Sequence, residues 1–201
     1  SESRMRTLFY ALISLLMVRS FSAVAVVNPS VIGALPSGLG ESSGIEPAAN
    51  GQYWSHNDGY GDNKLYCLNA SGTLVRTLTV SNAVNYDWED LTHDANHSYM
   101  YIGDFGNNTF DRTNLRIYRI PYPSTVSGGT VTASTINFSY PDQHQFPASW
   151  MNFDAEAFFH WNGNLYIFSK PDGNAIGYTK LYRVPDQPGS YVATLIDSFY
   201  T

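Results

Sequence analysis

The sequence has one cysteine, Cys67, so no internal disulfide can staple the fold and a hydrophobic core must hold it. Charge is scarce. Charged residues make up 14% of the chain, and its 11 lysines and arginines nowhere cluster. Binding a polyanion relies on a basic patch that releases counterions, so nucleic acid is excluded as a partner. Helical apolar periodicity is missing after residue 25. What abounds is aromatic residues, at 15%, with 16 glycines to punctuate them. That balance suits a β-rich extracellular protein with tight turns, and a disordered chain would be poor in aromatics.

The N-terminus reads as an export signal. Arg4 and Arg6 precede an apolar stretch, Leu8 to Val18, too short to span a bilayer. Ala23-Val24-Ala25 offers the small-x-small pattern of a cleavage site, giving a signal peptide over 1–25 and a domain over 26–201. Residues 1–4 read as extraneous to that signal. No second long apolar run follows, so no stable membrane span is expected after processing. Localisation is expected to be secreted or periplasmic. Of the 11 basic and 17 acidic residues, the signal removes three and one, leaving 8 and 16 and a net charge of −8. Cations, or a small-molecule, sugar or protein ligand, suit that surface better than anions do.

Internal repeats organise the rest. Residues 41–62 shifted by 46 fall on 87–108 without a gap: Glu41 meets Asp87, Ile45 meets Leu91, Tyr53 meets Tyr99 and Asp58 meets Asp104. A third copy begins 67 residues after the second, with Asp154, Glu156 and Phe158 meeting Asp87, Glu89 and Leu91. With its turn taken as one residue shorter, Leu165-Tyr166-Ile167-Phe168 meets Tyr99-Met100-Tyr101-Ile102. The repeats run over about 41–86, 87–153 and 154–201, each reading as four short strands between Gly, Asn, Asp, Ser and Pro turns. A further strand is expected at Val31 to Leu35, and one continuous strand at Tyr191 to Phe199. The fold class expected is all-β: three four-stranded antiparallel repeats as β-propeller blades of an incomplete propeller, with a small β-sandwich as the alternative.

The motifs Asp87-Trp88-Glu89-Asp90-Leu91, Tyr101-Ile102-Gly103-Asp104-Phe105-Gly106-Asn107-Asn108 and Ile117-Tyr118-Arg119-Ile120-Pro121 resemble a family of secreted bacterial β-propellers of the six-bladed TolB/NHL-like type. Tyr140-Pro141-Asp142, Asp154-Ala155-Glu156-Ala157 and Ser169-Lys170 continue the likeness, which spans roughly 40–185. A longer segment between Tyr140 and Phe153 departs from it. The resemblance implies fold and export, and no reaction.

Antiparallel connectivity brings the start of each first strand and the end of each second strand to one face. That gathers Glu41, Asp58, Asp87, Glu89, Asp90, Asp104, Asp154, Glu156 and Lys170 as metal- or ligand-binding candidates. Carboxylates so gathered need a cation, shared protons or a lysine, with Ca²⁺ the candidate cofactor because it takes six to eight oxygen ligands. The plain alternative for each acid is a turn cap. Lys170 is read as replacing the repeat's aspartate. Phe146 and Trp150, in the inserted segment, are ligand-wall candidates.

Three patterns carry little. Gly40-Glu41-Ser42-Ser43-Gly44 fits a hydrolase elbow, but its flanks cannot form the required helix. His93 and His97 are four apart, which suits a metal only on a helix. Asn69, Asn96, Asn107 and Asn137 begin glycosylation sequons. The sequence favours a binding or scaffold module. A Ca²⁺-dependent hydrolase or lactonase-like enzyme using the channel carboxylates is the alternative.

Overall fold

The computed structural model describes residues 28–59, 61–149, 152–171 and 177–200, so the expected signal segment 1–25 and Trp150 lie outside the described residues. The chain divides into two units, 1–31 and 32–201. Of the first, only residues 28–31 are described, and they have no regular structure. The second is all-β, its strands rich in the aromatic and β-branched residues that fit a pleated surface.

Three sheets follow one another along the chain. The first holds β1 (Ser42–Pro47), β2 (Tyr53–Asn57), β3 (Lys64–Leu68) and β4 (Leu74–Val80). The second holds β5 (Trp88–His93), β6 (Tyr99–Asp104), β7 (Arg116–Pro121) and β9 (Ser134–Ser139), with β8 (Thr130–Val131) lying between β7 and β9 in sequence. The third holds β10 (Asp154–Trp161), β11 (Asn164–Lys170), β12 (Tyr178–Pro185) and β14 (Thr194–Tyr200), with β13 (Gly189–Val192) preceding β14. Within each set of four, neighbours pair antiparallel. Among the described residues these sheets do not close into a barrel.

Both short strands leave their own sheet. β8 pairs parallel with β4 of the first sheet, and β13 pairs parallel with β9 of the second. The second and third sheets thus each send the connection before the fourth strand back to the outer edge of the preceding sheet. The expected single strand at Tyr191 to Phe199 is therefore two, broken at the buried Ala193, whose N–H bonds Ser139 O at 2.9 Å. Residues 31–35 form no strand.

The sheets stack face to face. Trp54, Leu65 and Leu78 pack with Trp88, Met100, Ile102, Tyr118 and Ile120 in one core. Tyr101, Ile117 and Phe138 pack with Phe158, Leu165, Ile167 and Tyr182 in the other. Burying each such side chain contributes about 1.5–3 kcal/mol. First strands lie side by side: Ser43 Oγ donates to Glu89 O at 2.7 Å, and Phe158 N–H donates to Asp90 Oδ2 at 3.1 Å. At Gly44 an added Cβ would lie 2.7 Å from Asp90 Cα, so only glycine permits this approach of β1 to β5.

Register corrects three sequence equivalences. Asn57 faces Ser42 as Asp104 faces Trp88, so Asn57, and not Asp58, is the counterpart of Asp104. In the third sheet Ser169 faces Ala155, the counterpart of Trp88. Ser169 therefore holds the aspartate's position, and Lys170 lies one residue beyond it, opposite Asp154. Leu165 matches Met100 rather than Tyr99, because His160 and His93 are their respective partners.

Candidate cation site

A β-bulge builds the site. In β5, Trp88 faces Asp104 and Asp90 faces Gly103, leaving Glu89 as the extra residue. In β10, Ala155 faces Ser169 and Ala157 faces Phe168, leaving Glu156 extra in the same place. A bulge interrupts the ladder and re-aims the side chain it frees. Both glutamates so escape the alternation that would otherwise send them to a sheet face.

Two groups of carboxylates result. Asp58, Asp87 and Glu89 bring ligand oxygens within 4.8 Å of one another, and so do Glu89, Asp154 and Glu156. Glu89 belongs to both. The residue is 5% exposed, and among the described residues its carboxylate has neither a hydrogen-bond donor nor a cationic partner. Burial, reinforced by Glu156, Asp58, Asp87 and Asp154, pushes its pKa up to about 9. Asp87 is pushed up to about 6 by burial and by Asp58, against the pull of Arg112. Burial also raises Asp154, although Asn107 N–H donates to its Oδ1 at 2.6 Å and the Lys170 ammonium lies 3.4 Å from its Oδ2.

Lys170 pairs with both Glu156 and Asp154. Burial draws its pKa down, but these carboxylates outweigh burial and raise it. One lysine cannot balance five acids. Protons or a cation must supply the rest, because like charges at this separation cannot all stay ionised in a half-buried site.

Glycines shape the wall. A Cβ at Gly106 would lie 2.1 Å from Glu89 Oε1 and 2.4 Å from Asp87 Oδ2, and one at Gly59 would lie 2.5 Å from Asp87 Oδ1. Main chain therefore presses on both oxygens of Asp87 where no side chain fits. Gly59 N–H also donates to Asp58 Oδ1 at 2.6 Å.

Other candidates fall outside both groups. Asp104 is fully buried, accepts from Arg112 at 3.0 Å and from Asp87 N–H at 3.1 Å, and lies 3.4 Å from Arg116 Nε. It braces the loop and is not free to hold an ion. Asp90 accepts from Leu91 N–H at 2.8 Å and from Phe158 N–H, tying the second sheet to the third. Glu41 contributes main chain, its carbonyl accepting from Asp58 N–H at 2.7 Å, while its carboxylate lies outside the groups. Phe146 is 47% exposed, and the inserted segment is pinned instead by Gln143 and Ala148, which donate to Phe110 O, each at 2.9 Å. His93 and His97 stack at the far end of β5, with His93 Nε2 2.8 Å from Glu46 Oε1.

Sequence reasoning missed Arg112, whose guanidinium donates to Gly106 O at 2.6 Å and Asp104 O at 3.2 Å and so holds the loop over the acids. An isolated arginine in a polar loop gives no signal. Gly106 lies inside the quoted motif, and its need for close main-chain approach is the signal that could have been read. The sequon at Asn107 is unusable in the folded state, since the side chain is 1% exposed and bonded at both ends.

No family model matches the chain, and no curated protein matches it.

Proposed function

We propose that this chain is an exported binding module, its sheets the blades of a β-propeller, and that its acidic face holds Ca²⁺. The propeller reading rests on three face-to-face four-stranded sheets whose first strands adjoin, and on the backward latch that recurs at β8 and β13. The cation reading rests on one observation above the others: Glu89, buried, without a donor, shared by two carboxylate groups.

The donor set favours a hard cation. Both groups offer only carboxylate oxygens, which suit hard cations, and neither includes the histidine or cysteine that zinc or copper would favour. The oxygens come from loop, strand and bulge, and Ca²⁺ accepts irregular sets of carboxylates where Mg²⁺ demands a near-ideal octahedron, so Ca²⁺ fits better than Mg²⁺. Lys170 closes the side next to Glu156, which leaves the Asp58–Asp87–Glu89 side as the ion's seat. Binding is favoured over catalysis: among the described residues none of the five carboxylates is hydrogen-bonded to a serine, threonine, cysteine or histidine that could act as nucleophile or relay.

Thermal unfolding with Ca²⁺ and with EDTA tests this. Ca²⁺ is expected to raise the melting temperature by mass action, and Glu89→Gln to weaken the ion's affinity about tenfold or more. The same variant should melt higher than the native chain in EDTA at neutral pH, because it removes the cost of holding a proton on Glu89, whose pKa is pushed up to about 9. A native melting temperature indifferent to both reagents would leave the acids as shared-proton pairs.

A further inference from the structure

Beside Asp87 opens a pocket of about 430 Å³. Its wall carries Tyr86, Asn108, Thr109, Asp111, Arg112 and Asn114, and Asp87 is common to it and to the cation group. We infer that this pocket binds a neutral sugar whose vicinal hydroxyls complete the coordination of the cation at Asp87. The inference rests on the cation reading above.

Four observations carry it. First, the Asp58–Asp87–Glu89 group supplies three carboxylates, which with one oxygen each leave three to five of the six to eight positions of Ca²⁺ open to water or to ligand oxygens. Asp87 is where such ligands enter, because it alone of the three lines the pocket. Second, apart from the Tyr86 ring and the Arg112 guanidinium, the wall is made of amide, hydroxyl and carboxylate groups, which between them donate to and accept from hydroxyls. Asn108 already reaches toward the ion's seat, its Nδ2 3.4 Å from Asp87 Oδ2.

Third, the Tyr86 ring is 45% exposed and braced from within by the Arg112 and Arg116 guanidinium groups, 5.7 and 5.4 Å from its centroid. A held aromatic face is a platform for the C–H face of a pyranose. Fourth, charge excludes the anionic alternatives. The five carboxylates and Asp111, set against Lys170 and Arg112, sum to −4 when ionised, so a bound divalent ion still leaves −2. Arg112 offers little to an anion, since its donors already serve Gly106, Asp104 and Asn114.

The test is isothermal titration of the full chain with cellobiose, maltose and mannobiose, each in Ca²⁺ and in EDTA, and with glucuronate as the anionic control. Ca²⁺ affinity is measured separately, by titrating the ion alone. At least one neutral disaccharide should bind in Ca²⁺ and lose at least tenfold in affinity in EDTA, with glucuronate weaker. Tyr86→Ala should abolish sugar binding and Tyr86→Trp retain it, which separates loss of the platform from loss of folding. Ca²⁺ binding with no sugar response overturns the pocket and leaves the cation reading standing. Sugar binding that ignores Ca²⁺ overturns the coordinated mode, and failure of the ion itself to bind overturns both. Glucuronate binding better than the neutral sugars overturns the charge argument and with it the ligand class.

Discussion

At the scale of single residues, Glu89 and Asp87 set how stability depends on pH. Folding raises Glu89 from 4.5 to about 9 and Asp87 from 3.8 to about 6. Between those limits the folded chain holds more protons than the unfolded one, so stability falls as pH rises, for Asp87 up to about 6 and for Glu89 up to about 9. In EDTA, melting temperature is therefore expected to drop from about pH 5 to about pH 8, with Glu89→Gln flattening most of the slope. Saturating Ca²⁺ should flatten it too, because the ion replaces the protons. A melting temperature that rises over this range in EDTA would mean the acids are not gathered. Gly106 makes a sharper point. Gly106→Ala drives a methyl into Glu89 and Asp87, so it should cost about 1–3 kcal/mol in urea unfolding and remove the Ca²⁺ response. The acids themselves were legible from their recurrence at repeat starts. Which of them meet was not, because the bulge that frees Glu89 and Glu156 changes register without changing residue type.

At the scale of elements, the strands were legible and their phase was not. Tyr99 to Ile102 and Leu165 to Phe168 are apolar or aromatic throughout, so no alternation marks which residues face which neighbour, and a shift of one residue looks the same on paper. The structure sets the phase by cross-strand partners, which moves Lys170 out of the aspartate's position. The latch strands were invisible for a different reason. Two residues, Thr130 and Val131, carry no period, and their pairing to β4 is a main-chain matter. Arg76 on β4 reinforces it, donating to Pro123 O at 3.1 Å and Val126 O at 2.6 Å in the connection that leads to β8. Arg76→Ala should release that connection and cost about 1.5–3 kcal/mol, as charge-assisted hydrogen bonds do, seen as a lower urea midpoint. Increased hydrogen exchange confined to Thr79 and Ser81, whose N–H groups bond Gly129 O and Val131 O, would locate the effect at the latch.

At the scale of the whole molecule, one face and one edge stand apart from the pattern that covers the others. The second sheet turns Thr92, Tyr101 and Ile117 toward the third, and the third carries Phe159, Tyr166 and Leu181 at the matching positions. Phe159 and Trp161 are 41% and 61% exposed, and Phe159 stacks on Tyr166 at 5.1 Å. At the outer edge β14 is exposed along its whole length, including Leu195, Ile196, Phe199 and Tyr200. β4 and β9, the corresponding strands, each carry a parallel latch strand, and among the described residues β14 carries none. An open edge with apolar side chains beside an aromatic face is a template for association. A polypeptide of these 201 residues alone is therefore expected to self-associate with rising concentration. Salt should strengthen the association, because it screens the net negative charge that opposes contact. Ile196→Lys places a charge on the edge and Trp161→Glu places one on the face, so sedimentation velocity should show the two together shifting the chain to monomer while the Ca²⁺-dependent melting shift persists. Self-association unchanged in the double variant would move the contact elsewhere, to the exposed Ile45 and Tyr53 of the first sheet.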